Sequence, residues 1–166
     1  VPIKAKPFSI IIQLAGQQVE INSAKVDQLF ERSFEDPETF LSLHRFSWLS
    51  NFGDKIDPFW VHRIWKVWQE NFIYSKNHWV WHPYTVAERA VNILNFSRKY
   101  GLPGEPQKTL ETLVAHALSI SKNLEYFGDH NIYLTIILLS PQNYLQKLTI
   151  DLFYMKNLRM YCILFY

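Results

Sequence analysis

The stretch Trp79-Val-Trp81-His82-Pro83-Tyr84-Thr-Val-Ala-Glu-Arg89-Ala-Val-Asn92 concentrates side chains able to hold a ligand. Arg89 and Asn92 are three apart and share a helix face, and Tyr84 lies about a turn and a half earlier. One chemistry open to this set is a wall for an acidic sugar. Trp81 and Tyr84 would stack on pyranose faces, His82 would touch the ligand, and Arg89 would take a carboxylate or sulfate. The other is a capped helix whose cation and amide close a buried polar network. Both stay open on spacing alone.

Other chemistries find less support. His78 and His82 are four apart but straddle the loop at Pro83 and lack a glutamate arranged as in a zinc helix, so no metal site is expected. The glycines form no phosphate loop, no Ser or Cys stands in a nucleophile setting, and no cofactor is implied. His44, His62 and His116 read as core or interhelical hydrogen bonders. A single cysteine, Cys162, excludes an internal disulfide.

The elements that must carry these residues are mostly helical. Phe8 to Ile21 is a short apolar segment, a turn at Gly16 and an alternating Val19–Ile21 piece, expected to be a lead-in arm spanning 1–21. Asn22 or Ser23 caps a helix to about Phe34, with Val26, Leu29, Phe30 and Phe34 on one face. Asp36-Pro37-Glu38 starts the next, carrying Phe40, Leu41, His44 and Trp48; Asn51 to Asp54 breaks it. Asp57-Pro58 repeats the start signal before a broad stripe of Trp60, Ile64, Trp65, Val67, Trp68 and Phe72. A fourth helix runs from about Pro83 to Gly101, and a fifth from about Glu105 to a stop at Gly128. The expected class is all-α, built of layered antiparallel helices.

Composition agrees with one packed domain. Of 166 residues 48% are hydrophobic and only 19% charged, which argues against a disordered chain. Aromatics reach 16%, with six Trp and nine Tyr; much of this must be core, and an excess of Trp and Tyr also suits sugar stacking. The net charge of +2 is small and Lys and Arg are scattered, so no nucleic-acid partner is expected. Val1 to Phe8 lacks signal-peptide order, and Phe8 to Leu14 is too short for a membrane span. The chain begins with Val rather than Met, which leaves its true start, and any export signal, open.

Three ordered blocks resemble a known family. Trp81, Pro83-Tyr84, Arg89 and Asn92 are similar to the Trp-x-Pro-Tyr…Arg-x-x-Asn pattern in the N-terminal helical toroid of heparinase II/III-like polysaccharide lyases. Phe59-Trp60 to Trp68 resembles that family's preceding aromatic helix, and His116 to Gly128 its His…Asn-Leu-Glu-Tyr helix. The resemblance covers roughly Phe40 to Asn131 and is densest from Trp79 to Gly128. It implies an incomplete α/α toroid over 22–131 and β-elimination on uronic-acid glycans. It also implies an acidic polysaccharide as partner, a β-sandwich domain beyond this N-terminal part, and a periplasmic or secreted location. Such chemistry needs an Asn or His to neutralise the C5 carboxylate, and a Tyr or His to move the proton.

The family's next block, Asn-Asn-His-Leu, is not in register here. His130-Asn131 is followed by Ile-Tyr-Leu-Thr-Ile-Ile, so no catalytic residue is assigned, and His130 and Asn131 are only the nearest candidates. From Ile132 to Tyr166 there is no Gly, Ala, Val, Glu, His or Trp. Codons permitted for Ile132 to Leu139 read, two nucleotides on, as Ile-Ser-Asn-Asn-His-Phe-Ile. The irregular apolar tail 132–166 is therefore either out of frame or naturally divergent, and the gene's codons decide. The expected product is a truncated lyase part, inactive alone; a non-catalytic carbohydrate-binding helical domain is the alternative.

Overall fold

A computed structural model describes residues 8–75 and 79–122. His130, Asn131 and the tail 132–166 lie outside the described residues, as does His78.

The described residues begin with a hairpin in the expected lead-in arm. β1 (Ser9–Gln13) pairs antiparallel with β2 (Gln18–Asn22), Ile10 opposite Ile21 and Ile12 opposite Val19. Ile12, Val19 and Ile21 are buried while Ile11 and Glu20 face out, the period-two alternation that β-branched residues favour in a half-buried pair. At the turn, a Cβ on Gly16 would come within 2.8 Å of Thr39 Oγ1, so only glycine lets the hairpin lie against the first helix. Ala15 N–H donating to Ser42 Oγ (3.1 Å) fixes that seat.

Asn22 then caps two 3-10 turns over Ser23–Glu31, broken at Lys25, in place of the expected α-helix to Phe34. Val26 and Leu29 are still the buried positions. Helix α1 (Pro37–Arg45) starts at the Asp36-Pro37 signal, the Asp36 carboxylate accepting from the Glu38 and Thr39 amides and from the Thr39 hydroxyl. These bonds, the hydroxyl's foremost, hold its carboxyl below the usual range. The helix stops three residues before the expected Trp48, because Phe46 adopts a left-handed φ of 57° and returns its N–H to Leu43 and Ser42. A non-glycine residue pays for that conformation, about 1–2 kcal/mol. Phe46 offsets it by burying its ring edge-on against Trp65 at 5.5 Å.

A short helix α2 (Leu49–Phe52) leads to α3 (Pro58–Phe72), capped by Asp57 accepting from Phe59 N–H at 3.0 Å. Replacing Asp57 with Ala should cost about 1 kcal/mol in a urea titration; no loss would mean another group caps α3. Helices α4 (Pro83–Tyr100) and α5 (Pro106–Lys122) complete the described fold, α4 ending at Gly101 with φ 82°.

The core gathers on α3. Trp60, Trp65 and Trp68 are all fully buried, Trp65 and Trp68 stacked at 5.2 Å and 6°. α4 packs on both α1 and α5. α3 is tied to α5 through Trp65 Nε1 to Thr109 Oγ1 (2.8 Å) and Gln69 Nε2 to Thr112 Oγ1 (2.8 Å). Two expectations are thereby corrected. The fold is mixed rather than all-α: mostly helical, with a two-stranded antiparallel sheet. The described helices also do not form an α/α toroid. α4 takes α1 on one side and α5 on another, so α1 reaches across to α4 instead of each helix pairing only with its successor.

Candidate functional site

The residues singled out by type and spacing fall into two groups, one inside and one outside. Arg89 is inside, with 0% of its surface exposed. Its Nη1 donates to His44 O (3.0 Å), Nη1 and Nη2 donate to Val80 O (3.2 Å each), and Nε and Nη2 lie 3.1 Å from His116 Nε2. The guanidinium carbon sits 4.0 Å from the centre of the Trp68 ring and 5.8 Å from that of Trp81. No carboxylate pairs with it among the described residues.

What compensates the charge is the end of α1. Asn92 Nδ2 donates to Arg45 O (3.0 Å), one residue beyond the His44 carbonyl that Arg89 holds. The Arg-x-x-Asn spacing thus places a cation and an amide on consecutive carbonyls at the negative end of a helix dipole. Two Trp faces add cation–π attraction. Burial still pushes the guanidinium pKa well below its ordinary value.

The same geometry fixes two histidines as neutral. A guanidinium only donates, so His116 Nε2 must be the lone pair and Nδ1 the N–H. Trp68 Nε1 donates to His44 Nδ1 (3.3 Å), which puts the His44 proton on Nε2. Burial first, and the Arg89 charge second, lower both: His44 to about 3, His116 well below its usual range. His62 has a different task, its Nδ1 accepting from Gly104 N–H at 2.8 Å.

The outer group gathers at the entry to α4. Trp79 is 58% exposed and its ring stacks on His82 at 6.2 Å and 30°. Tyr84 is 39% exposed and carries the Arg45 guanidinium over its ring at 4.5 Å. Arg45 also pairs with Glu38 (2.9 Å) and approaches Glu88 (3.6 Å). Burial raises the Glu88 pKa, opposed by Arg45 and by the Tyr84 hydrogen bond. Trp81 links the groups: it is half-buried, donates Nε1 to Phe72 O (2.9 Å), and lies 5.3 Å from the His116 ring.

No family model, curated protein or solved structure matches this chain. The site therefore stands on its own geometry. Trp81, His82 and Tyr84 follow one another at the start of α4, while Asn92 bonds to α1 and Arg89 divides its bonds among α1, Val80 O and His116 of α5. Arg45 and Trp79 join the outer group without having been singled out. Trp79 belongs to the aromatic run and was visible as such, whereas nothing in the spacing around Arg45 points to Tyr84. Among the described residues no three His, Cys, Asp or Glu side chains are grouped to hold a metal. No described helix is long and apolar enough to cross a membrane.

Proposed function

We propose that the chain is part of a polysaccharide lyase resembling heparinase II/III, acting on uronic-acid glycans by β-elimination. In this proposal the described region supplies glycan contact rather than the reacting groups. The ordered sequence blocks support the family, and the fold adds nothing to that part. The observation that carries the contact role is exposed Trp79 stacked on His82 just before α4, with exposed Tyr84 two residues after His82. Flat, half-exposed rings beside a hydrogen-bonding imidazole suit the apolar face and hydroxyls of a pyranose. Arg45 is the cation at this surface, but Glu38 and Glu88 compensate it, so stacking would supply most of the affinity and the carboxylate contact less.

Calorimetric titration with oligosaccharides of heparan sulfate, chondroitin and alginate tests this. Binding to one of them should weaken about tenfold in Trp79→Ala and in Tyr84→Ala, with thermal stability kept, since one lost stacking contact is worth about 1.4 kcal/mol. Absence of binding to all three acidic glycans would sink the proposal. The ultraviolet absorbance of unsaturated uronate separates the two versions of it. The chain alone should give no such product, and the same glycan bound without any elimination even by a longer chain would favour a carbohydrate-binding domain.

A further inference from the structure

We propose that Arg89 is the positioning residue of the Trp79–Tyr84 surface and that His116 makes the hold on that surface acid-sensitive. The functional meaning of this rests on the glycan-contact proposal; the geometry does not. Val80, whose carbonyl takes two of the Arg89 hydrogen bonds, lies between exposed Trp79 and half-buried Trp81. The segment entering α4 is thus held from inside at Val80 O by Arg89, and at the Trp81 indole by Phe72 O.

On its other side the guanidinium is oriented by one acceptor, His116 Nε2. A proton there removes the acceptor and sets two cations 3.1 Å apart in a dry site. The groups facing His116 offer the imidazolium Trp rings but no carboxylate to offset the Arg89 charge. α4 presents Arg89; α3 presents Trp65 and Trp68; the segment before α4 presents Trp81. α1 contributes His44, itself neutral, bonded to Trp68 and reaching Arg89 through its carbonyl. His116 can take a proton only by leaving Arg89.

The sign follows. The closed form binds fewer protons at His116 than the opened form, whose imidazole returns to the ordinary value of 6.5. The closed form is favoured in full above that value, and the opened form gains about tenfold per pH unit below it. With Arg89 released, Val80 O loses its donors, and the Trp79–Trp81 run loses its inner anchor.

The indole N–H signals of the unmodified protein test this without any glycan, so failure of the glycan proposal leaves the test intact. The Trp81 indole reports the segment, and the Trp65 indole, bonded to Thr109, reports the core. After correction for intrinsic exchange, Trp81 protection should fall about tenfold per pH unit below 6.5 and stay below that of Trp65, which exchanges only when the whole fold opens. Equal protection of the two at each pH, or Trp81 protection unchanged down to acid unfolding, overturns the proposal. His116→Gln keeps an acceptor near the Nε2 position and cannot be protonated, so it should flatten the Trp81 response. A response that survives in a folded His116→Gln protein assigns it to another group, such as His82, and equally overturns the proposal.

Discussion

Trp68→Ala should leave the protein unfolded, or nearly so, at room temperature. Truncating a buried Trp costs about 3–5 kcal/mol through lost transfer energy and the cavity left behind. Trp68 is fully buried and does more than fill space: it stacks on Trp65, donates to His44 and lies under the Arg89 guanidinium. Losing that face exposes a buried cation to a void, and a cation–π contact in a dry site adds about 2 kcal/mol. A domain holds about 5–15 kcal/mol in all. Far-ultraviolet circular dichroism against urea is the measurement, with Trp79→Ala as the control, since the same truncation at an exposed site should fall within about 0.5 kcal/mol of the parent. A Trp68→Ala midpoint close to the parent's would mean the Trp stack is not the centre of the core.

Acid should unfold the protein well before its carboxylates are exhausted. His44 and His116 both have folded pKa values below the unfolded value of 6.5, His44 at about 3. Each therefore binds more protons unfolded than folded across that window. The stability they allow is complete above 6.5 and is lost as pH falls towards the folded values, about 1.4 kcal/mol per pH unit for each histidine. Glu88, with its raised pKa, runs the other way, but it is half-buried and compensates little. Urea midpoints measured between neutral pH and about pH 5 should drop steeply, and His116→Gln should halve the slope. A midpoint flat over that range would mean neither histidine is buried neutral.

The sequence shows these elements unevenly. Asp36-Pro37, Asp57-Pro58 and Gly101 marked helix ends to the residue, because caps act through one side chain and its nearest amides. The end of α1 carried no such mark: Phe46 takes a conformation glycine usually takes, and its packing on Trp65 makes up the difference only in three dimensions. The hairpin was half visible, in the Val19–Ile21 alternation and the Gly16 turn. The Ile10-Ile11-Ile12 run hid its partner strand, since three apolar residues in a row show no period. The toroid came from resemblance, which ordered motifs can suggest and helix packing need not follow.

For the site, residue types were informative and direction was not. Arg89 and Asn92 do share a face, as their spacing requires. That the face meets α1 and not solvent depends on partners 45 and 47 residues away in sequence, at His44 and Arg45. A chain pattern cannot say which side of a helix another segment will cover.

The three anchors of Arg89 also set an order of events during synthesis. His44 and Val80 emerge from the ribosome before Arg89, and His116 only afterwards. Until α5 is made, the guanidinium lacks its third acceptor, and sealing it in would strand a partly unsatisfied charge. A nascent chain through α4 is therefore expected to stay hydrated around Arg89 and to expose the Trp65–Trp68 face meanwhile. Closure of the Arg89 site then waits on α5, and the Trp65–Trp68 face is expected to stay open until α5 covers it.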